Sequence, residues 1–272
     1  MNKITANECI DAINRQECFH AEVEDGAFEI KIDDYSQFVC SAIHDGHSLR
    51  SEIIDNCDLN ETERLYEEDP FTAEMVKNLP LVIKGCDSRY EYDLNRPPET
   101  CVYDEAWGRQ VWKSPLSAAQ KETSLQKHHT FYRVLGELYK KLENQHGSCL
   151  VYDMHSYNHK RIEKDTPVFN IGTEQLDKKW TGVIKHWVEQ LNNITLPGIS
   201  SRAAADEVFY GRGYQATFVH NNLNNTLVLP TEVKKVFMNE LTGEPDSDII
   251  SKLQHDLSEC IKNNATLFSG IK

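Results

Sequence analysis

Three short apolar runs most constrain this chain, because each stops at a polar residue able to do chemistry. Residues 38–43 (Phe-Val-Cys-Ser-Ala-Ile) end at His44-Asp45-Gly46-His47, residues 149–152 (Cys-Leu-Val-Tyr) at Asp153-Met154-His155, and residues 226–229 (Thr-Leu-Val-Leu) at Pro230-Thr231-Glu232. Near-continuous apolar runs of this length mark strands buried on both faces. Between them, residues 124–143 and 180–191 carry apolar side chains at helical spacing, such as Phe131, Val134, Leu135, Leu138 and Leu142. Strands alternating with helices predict an α/β fold, and such folds gather ligands at the carboxyl ends of their strands. Residues 6–14 and 246–265 read as further helices, the latter packed outside the sheet. Residues 19–32 alternate apolar and polar around Asp25-Gly26, which predicts a hairpin ahead of the core sheet. No repeat or linker interrupts the chain, so residues 1–272 are expected to form one domain.

Composition narrows the function classes. With 29 basic and 43 acidic residues the net charge is −14, which repels nucleic acid and anionic membrane surfaces. There is no apolar run of membrane-spanning length and no secretory signal pattern, so a soluble, cytoplasmic protein is expected. The eight cysteines include no Cys-x-x-Cys pair and are expected to be reduced. Nucleophile elbow, Walker loop and dinucleotide fingerprint are all absent, since Tyr210-Gly211-Arg212-Gly213-Tyr214 lacks the third glycine.

His44 and His47, three apart after a strand, would approach one ion if the chain turned helically there, and His155 supplies a third imidazole. A His-x-x-His alone is more often two unrelated surface side chains. Asp45, Asp69 and Asp153 are candidates to orient or complete such a site. Asp69-Pro70 also reads as a helix N-cap followed by Pro at the first helical position. Asp153 ranks below the ligands on the expectation that it and His155 point to opposite faces of the strand. Arg89, Asn95 and Arg96 suit a substrate carboxylate or an oxyanion, or else an ion-pair cluster with Glu91 and Asp93. Glu232 is positioned as a general base, or as a salt-bridge partner of Lys234 or Lys235.

Taken in order, seven blocks resemble the N-formylglutamate amidohydrolase family and, more distantly, the zinc carboxypeptidases and aspartoacylases: Cys40 to His47, Glu67-Glu68-Asp69-Pro70-Phe71-Thr72, Ser88 to Pro97, Val102-Tyr103 with Ala106-Trp107-Gly108, Asp153 to His159, Asn170 to Thr173, and Glu232 to Glu240. The resemblance implies a single-domain three-layer α/β/α sandwich with a mixed central sheet and a zinc-dependent amidohydrolase site, other divalent transition metals being compatible with the same ligands. It assigns His44 and His155 to the metal, Asn95 and Arg96 to the substrate carboxylate with Arg89 or Arg50 assisting, and Glu232 as base, with Arg96 also near the reacting carbonyl. Where the carboxypeptidases have Glu three residues after the first ligand this chain has His47, so either His47 or an acid from Glu68 and Asp69 completes the set. The implied substrate is a small anionic N-acyl amino acid such as N-formylglutamate. A carboxypeptidase-like peptidase and a non-catalytic binding protein remain as alternatives, and the oligomeric state is open.

Overall fold

The apolar runs do become the centre of a sheet. The structure is a computed structural model that describes residues 1–271. Its strands are β1 (Asn2–Ile4), β2 (Phe19–Val23), β3 (Phe28–Ile32), β4 (Phe38–Ala42), β5 (Leu81–Gly85), β6 (Glu105–Ala106), β7 (Arg109–Gln110), β8 (Cys149–Tyr157), β9 (Phe169–Ile171), β10 (Ala203–Ala205) and β11 (Thr226–Lys234). Its helices are α1 (Ala6–Asn14), α2 (Ser51–Ile54), α3 (Glu61–Glu67), α4 (Thr72–Val76), α5 (Ala118–His146), α6 (Thr181–Asn192), α7 (Tyr214–Asn222) and α8 (Ser247–Ser269). Nine strands form one mixed sheet in the order β1-β2-β3-β5-β4-β8-β11-β9-β10, and β6 and β7 form a separate hairpin. The four central strands β5, β4, β8 and β11 are mutually parallel, while β3 and β9 flank them antiparallel.

Strand order explains where a site can form. The chain leaves β4, places β5 on one side of it and returns to place β8 on the other. Connections therefore diverge at the carboxyl end of β4, opening the crevice in which α/β sheets bind ligands. Alternation along the strands decides which face is used. On β8, Cys149 and Val151 pack with Ile30, Phe131 and Leu138 under α1, α5 and α7, whereas Leu150, Tyr152 and Met154 pack with Trp187, Leu229 and Leu253 under α4, α6 and α8. Asp153 and His155 continue the first series, and so does Glu232 two residues beyond Pro230 on β11.

Four expectations are corrected here. The β2–β3 hairpin is part of the main sheet, because β3 pairs with β5 from Phe28↔Gly85 to Ile32↔Leu81. The runs at 149–152 and 226–229 do not end at their polar residues. Both strands continue for nine residues, in register Asp153↔Pro230 and His155↔Glu232, since neighbouring strands keep the backbone paired. Asp153 and His155 are two apart, so they share a face. Asp69 does not cap a helix: α4 begins at Thr72 after Phe71, which takes the left-handed conformation (φ 69°), and the Ala73 N–H is accepted at 3.0 Å by Asp45 Oδ1. That acceptor comes from the loop after β4, leaving the Asp69 carboxylate free to turn inward.

Trp187 joins the outer layer to the strand carrying Glu232. It is fully buried, meets Tyr152 edge-on at 4.8 Å, and donates from Nε1 to Thr231 Oγ1 at 3.0 Å. Trp187→Ala is expected to cost about 3–5 kcal/mol of unfolding free energy through the cavity left behind. Urea denaturation of the two proteins measures it.

Candidate active site

At the carboxyl ends of β4 and β8, two buried histidines face a single carboxylate. His44 Nδ1 lies 3.3 Å and His155 Nδ1 3.0 Å from Asp69 Oδ2, and the rings stand 5.0 Å apart between centroids. Each imidazole is backed by a second acid: His44 Nε2 is 2.7 Å from Asp93 Oδ1, and His155 Nε2 is 3.2 Å from Asp153 Oδ2. The His155–Asp153 approach is close but poorly aligned, and His155 Nε2 is a buried nitrogen without a hydrogen bond. Ser156 Oγ donates to Asp69 Oδ1 at 3.2 Å, and Ser41 Oγ to Asp153 Oδ1 at 3.1 Å.

Asp69 is held in place by the end of α3. The last carbonyls of a helix lack intrahelical partners, and here buried side chains take them. Lys235 Nζ donates at 2.7 Å to Tyr66 O and to Glu68 O, Asn158 Nδ2 at 2.6 Å to Tyr66 O, and Arg89 Nη1 at 2.9 Å to Glu67 O. The Asp69 N–H closes the set by donating to His44 O at 2.9 Å.

Electrostatics follow from this packing. Burial opposes ionisation of Asp69, but hydrogen bonds from His155 and His44 outweigh it and hold the carboxyl far below its ordinary range. Burial likewise opposes charge on Asp93, and the Arg89 guanidinium with His44 overcomes it. For His155 burial disfavours the imidazolium, yet Asp153 and Asp69 raise it well above the usual histidine value. Lys235 is pushed down to about 8 by burial. Glu232, half-buried, has no hydrogen-bond or ion-pair partner among the described residues, and desolvation pushes its carboxyl up to about 8.

The chemistry of the donor set fits a divalent cation. A donor atom from each of His44, Asp69 and His155 lies within 4.8 Å of the others. Two imidazoles and a carboxylate, with a further carboxylate near the far nitrogen of each ring, form a set able to hold such an ion.

His47 and Arg50, both candidates from the sequence, stand apart from this cluster. After β4 the chain runs alongside the extension of β5 instead of coiling, with Ser48 bridged to Asp87 and Gly46 so close to Cys86 that a Cβ would lie 2.3 Å from its carbonyl carbon. Positions 44 and 47 consequently do not share a face. His47 Nδ1 bonds Glu68, whose other oxygen accepts from Ser88. Arg50 Nη1 binds Glu91 at 2.6 Å and Ser124 at 2.8 Å, away from the cavity. Arg89 ion-pairs with Asp93 at 2.8 Å and still borders the cavity. Asn95 and Arg96 border it too. Lys234 and Lys235 do not pair with Glu232.

The cavity above the cluster encloses about 320 Å³, and its lining includes His44, Asp69, His155, Arg96 and Glu232. A family model described as N-formylglutamate amidohydrolase matches residues 36–218. This chain belongs to the N-formylglutamate amidohydrolase family. No curated protein matches the sequence. Two solved structures share the family fold. The N-formylglutamate amidohydrolase of Ralstonia eutropha JMP134 is 14% identical, with 89% of this chain and 97% of that one covered and a TM-score of 0.70. The gene product Atu2144 of Agrobacterium tumefaciens is 13% identical, with 87% and 95% covered and a TM-score of 0.63. Carboxypeptidase A of Helicoverpa armigera is more remote, 11% identical over 90% of this chain and 65% of its own, with a TM-score of 0.47.

The sequence ranks Asp153 below the ligands and gives Ser156, Lys235 and Asp93 no contact with them. Asp153 carried a usable signal, its two-residue spacing from His155 on a strand. Ser156 and Lys235 adjoined residues already singled out. Asp93 presents itself in the sequence as an ion-pair partner of arginine, and nothing local marks its contact with His44, 49 positions away.

The raised Glu232 carboxyl has a consequence for stability. In metal-stripped protein a group held at about 8 when folded and near 4.5 when unfolded binds more protons in the native state across that window. Its contribution is therefore present at low pH and lost as pH rises through about 8. Thermal melts of chelator-treated protein should show Glu232→Gln matching the wild type near pH 5 and exceeding it near about pH 9.

Proposed function

We propose that this chain hydrolyses the amide bond of a small anionic N-acyl amino acid, with N-formylglutamate the first compound to assay and zinc the first cation to supply. The observation that carries the reading is the convergence of His44, Asp69 and His155 in a cavity that also holds an unpaired carboxyl, Glu232, and an arginine without an acidic partner, Arg96. A cavity of about 320 Å³ suits one small molecule. All eight cysteines are unpaired, which supports a reducing, cytoplasmic setting. No helix among the described residues is long and apolar enough to cross a membrane.

His44, Asp69 and His155 would hold the cation, with Asp93 and Asp153 fixing the two rings. When bound, such an ion polarises an amide carbonyl and makes water easier to deprotonate. Arg96 pairs with the amino-acid carboxylate. The Asn95 side-chain oxygen accepts from the Tyr214 N–H at 3.0 Å, which leaves its NH₂ group to donate to substrate. Glu232 takes a proton from the attacking water as its oxygen bonds to the acyl carbon. That proton passes to the departing nitrogen as the C–N bond breaks. From an N-formyl substrate the products are formate and the free amino acid.

Formate release from N-formylglutamate should stop on chelation and return with zinc, manganese or cobalt. Glu232→Gln should lower kcat by about 10²–10⁴-fold with little change in KM, whereas Arg96→Ala should act mainly on KM. Turnover that survives both chelation and Glu232→Gln would refute the assignment.

A further inference from the structure

Four of the five basic side chains lining the cavity already have partners. Arg89 binds Asp93, Arg161 binds Glu67 at 2.6 and 3.2 Å, Arg212 binds Glu174 at 2.8 Å, and Lys235 donates to two backbone carbonyls. Arg96 meets no carboxylate among the described residues, its polar contact being Tyr103 Oη at 3.4 Å. One free cation accommodates one carboxylate. A second, such as that of a glutamate side chain, would have to compete with Glu67 for Arg161 or with Glu174 for Arg212.

What the cavity also offers is aromatic surface. Trp107, Phe209 and Tyr210 all line the cavity and are 42%, 36% and 46% exposed, high values for such large apolar groups. Trp107 occupies the turn between β6 and β7 with φ +50°, followed by Gly108 at +74°. Two-residue hairpin turns with positive φ at both positions favour Asn, Asp or Gly, and a bulky residue there is unfavourable. The indole rests edge-on against Tyr90 at 5.6 Å and Tyr103 at 5.7 Å, with the Arg89 guanidinium 4.9 Å from its centre. Trp107 and Arg96 also border a second depression, lined in addition by Tyr103 and Glu105.

We infer that the preferred substrate is an N-acyl amino acid with an aromatic side chain, its ring packed on Trp107 while Arg96 holds the adjoining carboxylate. Carboxylate, side chain and acylated nitrogen all leave the same carbon, so a molecule whose carboxylate pairs with Arg96 can lay its side chain on Trp107 while its acyl end points toward Glu232 and the histidines. The inference rests on the hydrolase reading and gives that site a substrate class distinct from a dicarboxylate.

The test compares N-formyl-L-phenylalanine, N-formyl-L-alanine, N-formyl-L-glutamate and N-benzoyl-L-alanine with zinc-loaded wild type, Trp107→Ala and Trp107→Phe. Binding is read by calorimetry and turnover by kcat/KM. The phenylalanine compound should bind and react better than the alanine and glutamate compounds by about tenfold or more in the wild type. Trp107→Ala should collapse the phenylalanine-to-alanine ratio toward one, and Trp107→Phe should keep most of it. Preference for the glutamate compound overturns the inference. So does an equal loss for phenylalanine and alanine in Trp107→Ala, which would mark a structural role. A Trp107-dependent gain for the benzoyl compound alone would put the ring on the acyl side and overturn it as well. If no compound is hydrolysed the hydrolase reading fails, while the binding ratios still decide whether Trp107 selects an aromatic ring.

Discussion

One carboxylate oxygen, Asp69 Oδ2, lies between two buried imidazoles, and the neighbouring architecture serves that meeting. Parallel pairing of β4 with β8 brings His44 and His155 side by side, and Asp93 and Asp153 back their far nitrogens. The third member comes from outside the sheet, on the segment after α3. A loop carboxylate facing two rings in a low-dielectric site is costly unless its backbone is fixed. Lys235, Asn158 and Arg89 do this by taking the carbonyls at the end of α3, which also places positive charge at the negative end of that helix dipole. The buried lysine is thus a structural counterpart of the acid it positions, although the two are 166 residues apart.

The parts of this arrangement visible in the sequence were those written in local periodicity. Apolar runs located β4, β8 and β11, helical spacing located α5 and α6, and His44, His155, Glu232 and Arg96 stood out because each follows such an element or belongs to a matching motif. Asp153 was legible in principle, since a spacing of two on a strand keeps both side chains on one face. His47 was misjudged because its spacing from His44 matters only if the backbone coils there, and the close packing of Gly46 on Cys86 keeps it extended. Arg50 and Glu91 found each other across 41 residues, a pairing no local pattern announces. Asp69 looked like a cap because Asp-Pro is good cap chemistry. The acceptor that α4 uses, Asp45, lies 28 residues before the N–H it binds.

The same packing sets the division of labour in the cavity. Most charged groups have partners: Arg89 has Asp93, Arg161 has Glu67, Arg212 has Glu174, and Lys235 has two backbone carbonyls. Glu232 and Arg96 have neither an acid–base partner nor a carbonyl among the described residues, and groups left so near a cavity are the ones available to a ligand. Their separation of roles is physical. Glu232 sits on β11 beside His155, where burial favours proton uptake, whereas Arg96 is exposed at the mouth beside Trp107. On the proposed reading chemistry belongs to the floor and recognition to the rim, so a change of rim residues would alter substrate preference without touching the floor.

The central claim is that His44, Asp69 and His155 together hold a divalent cation, and elemental analysis of purified wild type and Asp69→Asn, each reconstituted with zinc and freed of excess, tests it most directly. Asparagine preserves the size of the side chain, and circular dichroism of both proteins verifies the fold. The account predicts about one zinc per chain in the wild type and little or none in the variant. Equal zinc in both proteins, or none in either, would contradict it.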